Sequence, residues 1–535
     1  MASKEHTAHT EERLESPVIG PDEIEQHNSE VLLTVTTLAD KSLDPNIKLA
    51  KDGKTILVPQ PTDDPKDPLN WSPFKKHMAL FLISFGSFAG DFGAGSGVAV
   101  VFLQAQEWNV LPTTANHANS LAAVMCGVSG IIWMPLLNSW GRMPVLFWST
   151  VLGFFFTLGT VLAPNFPVHY ALRVLQAVTQ STGQTIGLAF VEDCFFFHEH
   201  ARKIGIWYAI YLSSPFLAPM FANFIVGTTG QWHTIFWCVF AWAGALICMI
   251  LAFGDESYYN RTVPVNEQPP RPKDHGSRLL RVIGVWQIKH HSEYFATIAS
   301  SYLRLIQVFL KPVILLTMLF YAAIFMWMIG LYLSSVIILG TPAALGGYGL
   351  APVSVGYVFF SPLVGVLLGE LFGHFFNDFI VRAYGKRHKG YFVPEVRLWS
   401  TYIGLAFMVP GLIIVGETLQ HKLSVAGIVF GWGMDVLGVM VTSVATVAFA
   451  LDCYPSASGE VSALINMARV GAGFAVPYFV DSWVEKQGYA LTFGLQAVVV
   501  VAAFIILICI QVYGGRLRAW AGPVKPLKVS GSRHG

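Results

Sequence analysis

Apolar and polar positions divide this chain on two length scales. On the longer one, windows of about 19 residues pick out apolar segments near 77–103, 119–138, 144–163, 167–191, 203–227 and 233–253. A charged stretch over 255–310 follows, and six more segments lie near 312–339, 353–380, 396–416, 423–450, 459–483 and 490–513. As helices rising about 1.5 Å per residue, segments of this length cross a hydrocarbon core of about 30 Å. The pattern predicts an all-α membrane protein with 12 transmembrane helices in two six-helix halves. Its predicted parts are a largely disordered tail over 1–76, a first half over 77–254, a linker over 255–311, a second half over 312–513 and a tail over 514–535.

On the shorter scale, one segment breaks the apolar rule in a regular way. Between Val168 and Val191 stand Arg173, Gln176, Gln180 and Gln184, which at 100° per residue share an arc of about 80° on one helix face. An arginine near a helix centre costs about 2.5–3.5 kcal/mol to insert, so this face is expected to meet a cavity rather than lipid. The alternative is that Arg173 snorkels to the interface and the glutamines bond neighbouring helices.

Composition agrees with the pattern. Charged residues make up 13% of the chain, against about 25% in soluble domains, and the mean hydropathy is +0.52. The net charge of +1 implies no nucleic-acid partner; the placement of charge is what carries information. With the N-terminus inside, the inner connections hold Lys75, Lys76, Arg142, Arg202, Lys203, eight Lys or Arg from Arg261 to Lys311, then Arg382, Lys386, Arg387, Lys389, Arg397 and five from Arg516 onward, whereas the outer ones hold only Lys422 and Lys486. This asymmetry predicts both termini and the linker in the cytoplasm. The Asn260 sequon then faces the cytoplasm and stays unused. No basic-then-apolar leader precedes the first segment, so that segment is expected to act as its own insertion signal. The six cysteines show neither a disulfide framework nor metal-site spacing.

Two polar segments invite local readings. Asp64-Pro65-Lys66-Asp67-Pro68-Leu69-Asn70-Trp71 reads as a proline-stiffened membrane-entry turn with Trp71 at the headgroups. In the linker, Leu279, Leu280, Ile283, Trp286 and Ile288 alternate with Arg281, Lys289, His290 and His291, a basic amphipathic helix that lies on the inner membrane surface or packs under the bundle.

Two six-span halves with a long central linker resemble the major facilitator superfamily, and local motifs strengthen the likeness. Leu136-Leu137-Asn138-Ser139-Trp140-Gly141-Arg142-Met143-Pro144 is similar to that family's loop motif between spans 2 and 3, with Asn138 where an acid usually stands. Gly373, Asp378, Arg382, Gly385 and Arg387 resemble its counterpart in the second half, which keeps its aspartate, and Arg173-Val174-Leu175-Gln176-Ala177 resembles the family's Arg-x-x-Gln-Gly motif. Asp64–Trp71 together with Pro394-Glu395-Val396-Arg397-Leu398 resembles a fungal branch of drug:proton antiporter-like transporters. The resemblance implies gating roles for Asn138, Arg142, Asp378 and Arg382, and a part for Arg173 in proton transfer and cavity polarity. In span 5 the antiporter glycines are replaced by Ser214-Pro215-Phe216-Leu217-Ala218-Pro219-Met220-Phe221-Ala222-Asn223, where Pro219 keeps the bend and Ala218 and Ala222 keep a small-xxx-small pair.

Other ionisable residues deep in the segments are Asp91, Glu370, Asp435 and Arg469. Their insertion cost argues for function. The resemblance places spans 1, 4, 7 and 10 around the cavity, so Asp91 and Asp435 are expected there as proton-coupling or substrate-binding carboxylates. Arg469 is expected to neutralise Asp435 or Glu370, and Glu370 to pair with a nearby base. Tyr208, Tyr211, Phe320, Tyr321, Trp327 and Tyr332 are candidates for an aromatic pocket. No nucleotide-binding motif, catalytic group, cofactor or metal site is read from the sequence. The expectation is a monomeric, proton-coupled transporter in the plasma membrane that exports a small organic molecule. Import of a nutrient or organic cation by proton symport, and a transport-inactive sensor, stand as the alternatives.

Overall fold

Prolines open many of the long helices. A proline in the first turn lacks only an N–H that would have no partner anyway, and Pro73, Pro112, Pro312, Pro352 and Pro394 each stand there. The computed structural model describes residues 59–525 apart from 262, 273 and 389–392, together with 48, 57 and 527. Most of the N-terminal tail expected to be disordered, the sequon threonine and Lys389 therefore fall outside the described residues, whereas residues 59–76 of that tail are described and include a short 3-10 turn, Pro68–Asn70, and the start of the first helix. Among those described, regular structure is helical, without strand.

Among the described residues, ten helices are long and apolar enough to cross a membrane. In the order of the predicted segments they are span 1 (Pro73–Glu107), span 2 (Pro112–Trp140), span 3 (Arg142–Val161), span 5 (Arg202–Thr229), span 6 (His233–Phe253), span 7 (Pro312–Gly340), span 8 (Pro352–Arg387), span 9 (Pro394–Gln420), span 10 (Val425–Cys453), and a 67-residue rod, Pro455–Ala521. The rod is broken at Gly488, where φ 78° and ψ 167° turn the chain between the eleventh and twelfth predicted segments, called spans 11 and 12 below. The fourth is missing from the ten because it is two shorter helices, Phe166–Gln180 and Thr182–Cys194, that abut at Ser181; together they are span 4. Span 1 is also broken, since its long helix ends at Ser96 before a short turn and Val101–Glu107.

Small residues set how closely these helices approach. A Cβ at Gly183 of span 4 would stand 2.5 Å from the backbone of Gly86 and Ser87 in span 1. Ser87 Oγ uses that proximity, bonding to Gly183 O at 2.7 Å while accepting from Trp207 Nε1 at 2.6 Å. In span 5, Ala218 and Ala222 are fully buried, and Ala218 packs under Gly95, where an added Cβ would lie 3.0 Å from its methyl.

The linker departs from the single predicted amphipathic helix. Gly284, at φ 103°, splits it into His275–Ile283 and Val285–Tyr294, and a third helix, Ile298–Phe309, follows. Val282 and Trp286 are buried while Leu280, Ile283 and Ile288 remain exposed. The helices are fastened beneath the first half, for Trp148 Nε1 of span 3 donates to Ile283 O at 2.8 Å and Gln287 Nε2 donates to Glu256 at 3.0 Å.

The segment Asp64–Trp71 is more than an entry turn. Asp67 is wholly buried, caps the Leu69 amide at 3.0 Å and pairs with Arg261 at 3.2 Å. Asp64 accepts from Tyr259 Oη at 3.1 Å. A carboxylate is stable in such a place only with charged or hydrogen-bonding partners, and Arg261, just beyond span 6, supplies the charge.

Inserting a side chain at Gly183 forces span 1 from span 4, at the cost of about 1–3 kcal/mol typical of overpacking. Gly183→Val is expected to lower the melting temperature in detergent by about 5 °C. Gly494→Ala, where nothing lies within 4 Å, is the control and should leave it level or slightly higher. Equal melting temperatures for the two variants would contradict the close backbone packing.

Candidate functional site

Midway between the halves, Arg469 of span 11 meets Asp91 of span 1 at 3.2 Å. Both side chains are about nine-tenths buried. Arg469 also donates to Tyr211 Oη and, through Nε, to Asn466 Oδ1 at 3.0 Å, while Tyr211 donates to the same amide oxygen at 2.6 Å. The guanidinium lies over the Tyr211 ring, 4.9 Å from its centroid. Span 1, span 5 and span 11 are thereby joined through one cation. The sequence-based expectation that Arg469 neutralises Asp435 or Glu370 is corrected: glycines at 90, 93, 95 and 97 thin span 1 here, and Asp91 is the carboxylate that reaches it.

This pair lines a cavity with Ala94, Pro215, Phe216, Met328 and Tyr332. The space open to water centres is about 30 Å³, room for about two waters and too little for an organic molecule. Both mouths are closed. On the side opposite the linker, Asn116 Nδ2 of span 2 donates to Leu333 O of span 7 at 2.9 Å, and His117 stacks on Tyr478 with centroids 4.3 Å apart. On the linker side, Asn138 Nδ2 donates to Glu460 Oε1 at 3.2 Å and Ser458 Oγ to Glu192 Oε2 at 2.6 Å. Arg304 of the third linker helix adds an ion pair to Glu460 at 3.4 Å. The molecule is occluded.

Arg173 and its glutamines do not line this cavity. Where span 1 breaks after Ser96, its last carbonyls lose their helical donors, and Arg173 supplies replacements, donating to Gly93 O and Ala94 O at 2.7 Å and to Asn119 Oδ1 at 3.1 Å. It rests on Phe236, 5.0 Å from the ring centroid. Gln176 accepts from Arg173 at 3.1 Å and Gln180 donates to Thr157 of span 3 at 2.9 Å. Gln184 is buried with both side-chain polar atoms unpartnered. The polar face predicted for span 4 is real: its arginine meets the backbone of span 1 and a side chain of span 2, and Gln180 meets a side chain of span 3.

Asp435 is 1% exposed with one carboxylate oxygen unpartnered. It belongs to the contact between spans 9 and 10, where a Cβ on Gly411 would lie 2.6 Å from its backbone nitrogen, and it is not among the residues lining the cavity. Pro219 lies within the unbroken helix Phe197–Thr229, and its carbonyl accepts from Asn223 Nδ2 at 2.8 Å. Of the aromatic candidates, Tyr332 lines the cavity and Tyr211 holds its cation.

The linker-side cluster around Asn138 and Arg142 is denser than the sequence suggests. Arg142 pairs with Asp193 at 3.2 Å and donates to Asn138 Oδ1 at 3.2 Å. Glu256 accepts from the Arg142 and Met143 backbone amides at 3.0 and 3.3 Å, the exposed donors of span 3's first turn. Burial pushes the Glu256 carboxyl above its ordinary value. Its neighbour Asp255, although burial opposes it, is held below by Lys75 and Arg281.

A counterpart exists in the second half, at other residues than expected. Asp378 and Arg382 form an exposed pair one turn apart at 3.5 Å, on the outer face of span 8, and so latch nothing. The residue that points inward is the preceding Asn377, which accepts from Arg397 Nη1 at 3.2 Å, and Arg397 also pairs with Asp452. Asn138, Arg142 and Asp193 thus recur as Asn377, Arg397 and Asp452, six spans later in each case. The signal for the missed acids was present: spans 4 and 10 both end in Asp-Cys, at Asp193-Cys194 and Asp452-Cys453.

The sequence profile of the Major Facilitator Superfamily matches residues 80–477. An uncharacterized transporter of Schizosaccharomyces pombe is 24% identical, covering 91% of this chain and 97% of its own. The efflux pump radE of Floropilus chiversii is 24% identical over 91% of this chain and 88% of its own, and the multidrug transporter TPO3 of Candida glabrata 23% identical over 85% and 71%. Among solved structures, the human organic anion transporter MFSD10 matches with a TM-score of 0.56 at 12% identity, covering 82% of this chain and all of that one. The proton:xylose symporter XylE matches with the same TM-score and identity over 86% and 98%. A helical bundle in two halves, occluded around one buried ion pair and matched by this profile over most of its length, belongs to the major facilitator superfamily: the chain is an integral membrane transporter of small substrates and not an enzyme.

Proposed function

We propose that this transporter is a proton-coupled exporter of a small organic molecule, a drug-like compound or secondary metabolite, working as a monomer in the plasma membrane. The observation that carries the coupling is the Asp91–Arg469 pair, which spans the two halves at the cavity. Removing one partner of a buried pair leaves an uncompensated charge at a cost of about 3–5 kcal/mol, so the pair opposes separation of spans 1 and 11. A proton on Asp91 removes its charge, and Arg469 keeps Tyr211 and Asn466. The halves are then free to rock about the cavity. Efflux, rather than uptake, is supported by the names of the relatives, an efflux pump and a multidrug transporter.

The reading takes the broken span 4 as one crossing and the rod broken at Gly488 as two, giving twelve. Lys and Arg then crowd the linker side, which is assigned to the cytoplasm with both termini. The cluster of Asn138, Arg142, Glu192, Asp193, Ser458 and Glu460 acts as the cytoplasmic latch, with Arg304 as its bolt.

In proteoliposomes with a pH gradient and a panel of lipophilic cations and neutral metabolites, wild type is expected to move protons when substrate moves. Asp91→Asn should lose at least about 90% of that proton flux while retaining substrate exchange between equal pH compartments. Proton movement opposite to substrate identifies antiport, and movement with it identifies symport. Full coupling in the variant would remove Asp91 from the mechanism.

Cutting the latch is expected to open the cytoplasmic side more often. With a reporter cysteine at buried position 463 in a cysteine-free background, Glu460→Ala should accelerate maleimide labelling from the cytoplasmic side about threefold or more, the equivalent of about 0.65 kcal/mol. An unchanged labelling rate would show that Glu460 holds nothing shut.

A further inference from the structure

The third linker helix, Ile298–Phe309, is built inside out. At 100° per residue, Ile298, Leu303, Ile306, Phe309 and the following Leu310 fall within an arc of about 140°. All five are exposed, Leu303, Ile306 and Leu310 by 60%, 50% and 62%. Ala299 and Tyr302, which share the arc, add no charge to it. The opposite side faces spans 2 and 11 and carries the one charge within the helix, Arg304, which pairs with Glu460 at 3.4 Å and donates to Ser456 O. Ser301, Leu305 and Val308 on that side are buried. A helix set against a protein in water does the reverse, hiding its apolar stripe and showing its charges.

The helix also lies where lipid is at hand. Only Leu310 and Lys311 separate it from Pro312, the first residue of span 7. Lys311 Nζ donates to Ala521 O and Gly522 O at 2.6 and 2.8 Å, which sets Leu310 level with the end of span 12. Trp520 is exposed there, and Trp148 and Trp399 are exposed near the linker-side ends of spans 3 and 9. Tryptophans so placed gather at the headgroup level of a bilayer. The apolar face is therefore carried along the membrane boundary for about 18 Å, the length of 12 helical residues. Its border toward Arg304 holds Ser300 and Gln307, neither of them basic, so its chemistry suits acyl chains and offers nothing to an anionic headgroup.

We propose that the outward face of Ile298–Phe309 is a lipid-docking surface set into the cytoplasmic leaflet, with acyl chains as its ligand, and that this anchoring holds Arg304 on Glu460. The naming of the leaflet, and the part played by Arg304, rest on the orientation and the latch proposed above. One helix then carries the bilayer on one face and the bolt of the latch on the other. Freed from lipid, the helix would turn its apolar face away from water, and Arg304 would leave with it.

The test uses the full chain in a cysteine-free background, with Leu303→Cys or Ile306→Cys bearing an environment-sensitive nitrobenzoxadiazole label, in phosphatidylcholine vesicles. Acyl-brominated phosphatidylcholine is expected to quench both labels about twofold, while aqueous iodide quenches them by less than about one tenth. Admixed anionic phosphatidylglycerol should change neither value. Iodide quenching without lipid quenching would mean a bare face, and resistance to both would mean a face covered by protein, whether a second copy or another segment of this chain; either overturns the docking. Lipid quenching that requires the anionic lipid overturns the acyl-chain assignment. The hold on the bolt is read separately: the double variant Leu303→Asp, Ile306→Asp should accelerate maleimide labelling at position 463 about threefold, although Arg304 and Glu460 are untouched, and an unchanged rate overturns the hold. Gln307→Cys reports the side of the membrane. Labelling by an impermeant maleimide only after permeabilisation of cells keeps the cytoplasmic leaflet, whereas labelling of intact cells overturns the orientation while the quenching result stands.

Discussion

Burying a guanidinium between two halves of a membrane protein is tolerated only when its charge is answered at once, and Asp91 answers Arg469. Much of the local architecture serves that meeting. The glycines of span 1 let the carboxylate approach: a Cβ at Gly93 would strike Gln180 Oε1 at 2.6 Å, and one at Gly95 the Tyr332 hydroxyl at 2.5 Å. The break after Ser96 that follows from so many glycines leaves carbonyls bare, and Arg173 covers them. The two deep arginines therefore divide the labour. One is fixed to backbone and repairs a helix; the other is fixed to a carboxylate whose charge a proton can remove.

The closed ends repeat a single device with one asymmetry. Each half binds an asparagine, an arginine and an aspartate at the linker-side ends of three consecutive spans. Among the described residues, only the first-half asparagine reaches across to the other half, at Glu460. An acid at that position would repel Glu460, so the amide that departs from the family's loop pattern is the side chain able to accept from Arg142 and donate to Glu460 at the same time. The neutral residue strengthens the contact here.

Much of this was legible from residues alone, and the exceptions have physical causes. Hydropathy located the segments because lipid demands continuous apolar helix, yet it was blind to the breaks at Ser181 and within span 1, which cost no hydropathy. The helical wheel of span 4 correctly isolated Arg173, Gln176, Gln180 and Gln184 but could not tell a water-filled cavity from a neighbour's bare carbonyls, since both offer polar partners. Asp378 and Arg382 fit a motif by spacing, while the side chain that matters is Asn377, one residue and 100° away. Pairing across the halves, such as Asp91 with Arg469, 378 residues apart, depends on a packing register that no local pattern encodes.

The union of Asp67 with Arg261 joins residues 194 apart, and this has a consequence during biosynthesis. At about 5–20 residues per second, Arg261 leaves the ribosome roughly 10–40 s after Asp67. In that interval Asp67 lacks its charged partner while the residues of the first six spans are made. Only when the chain has passed the sixth can the leader fold back and be sealed beneath the Asp193 carbonyl that Arg261 also grips. The clasp thus ties the segment before span 1 to the end of span 4 through a residue made only after span 6.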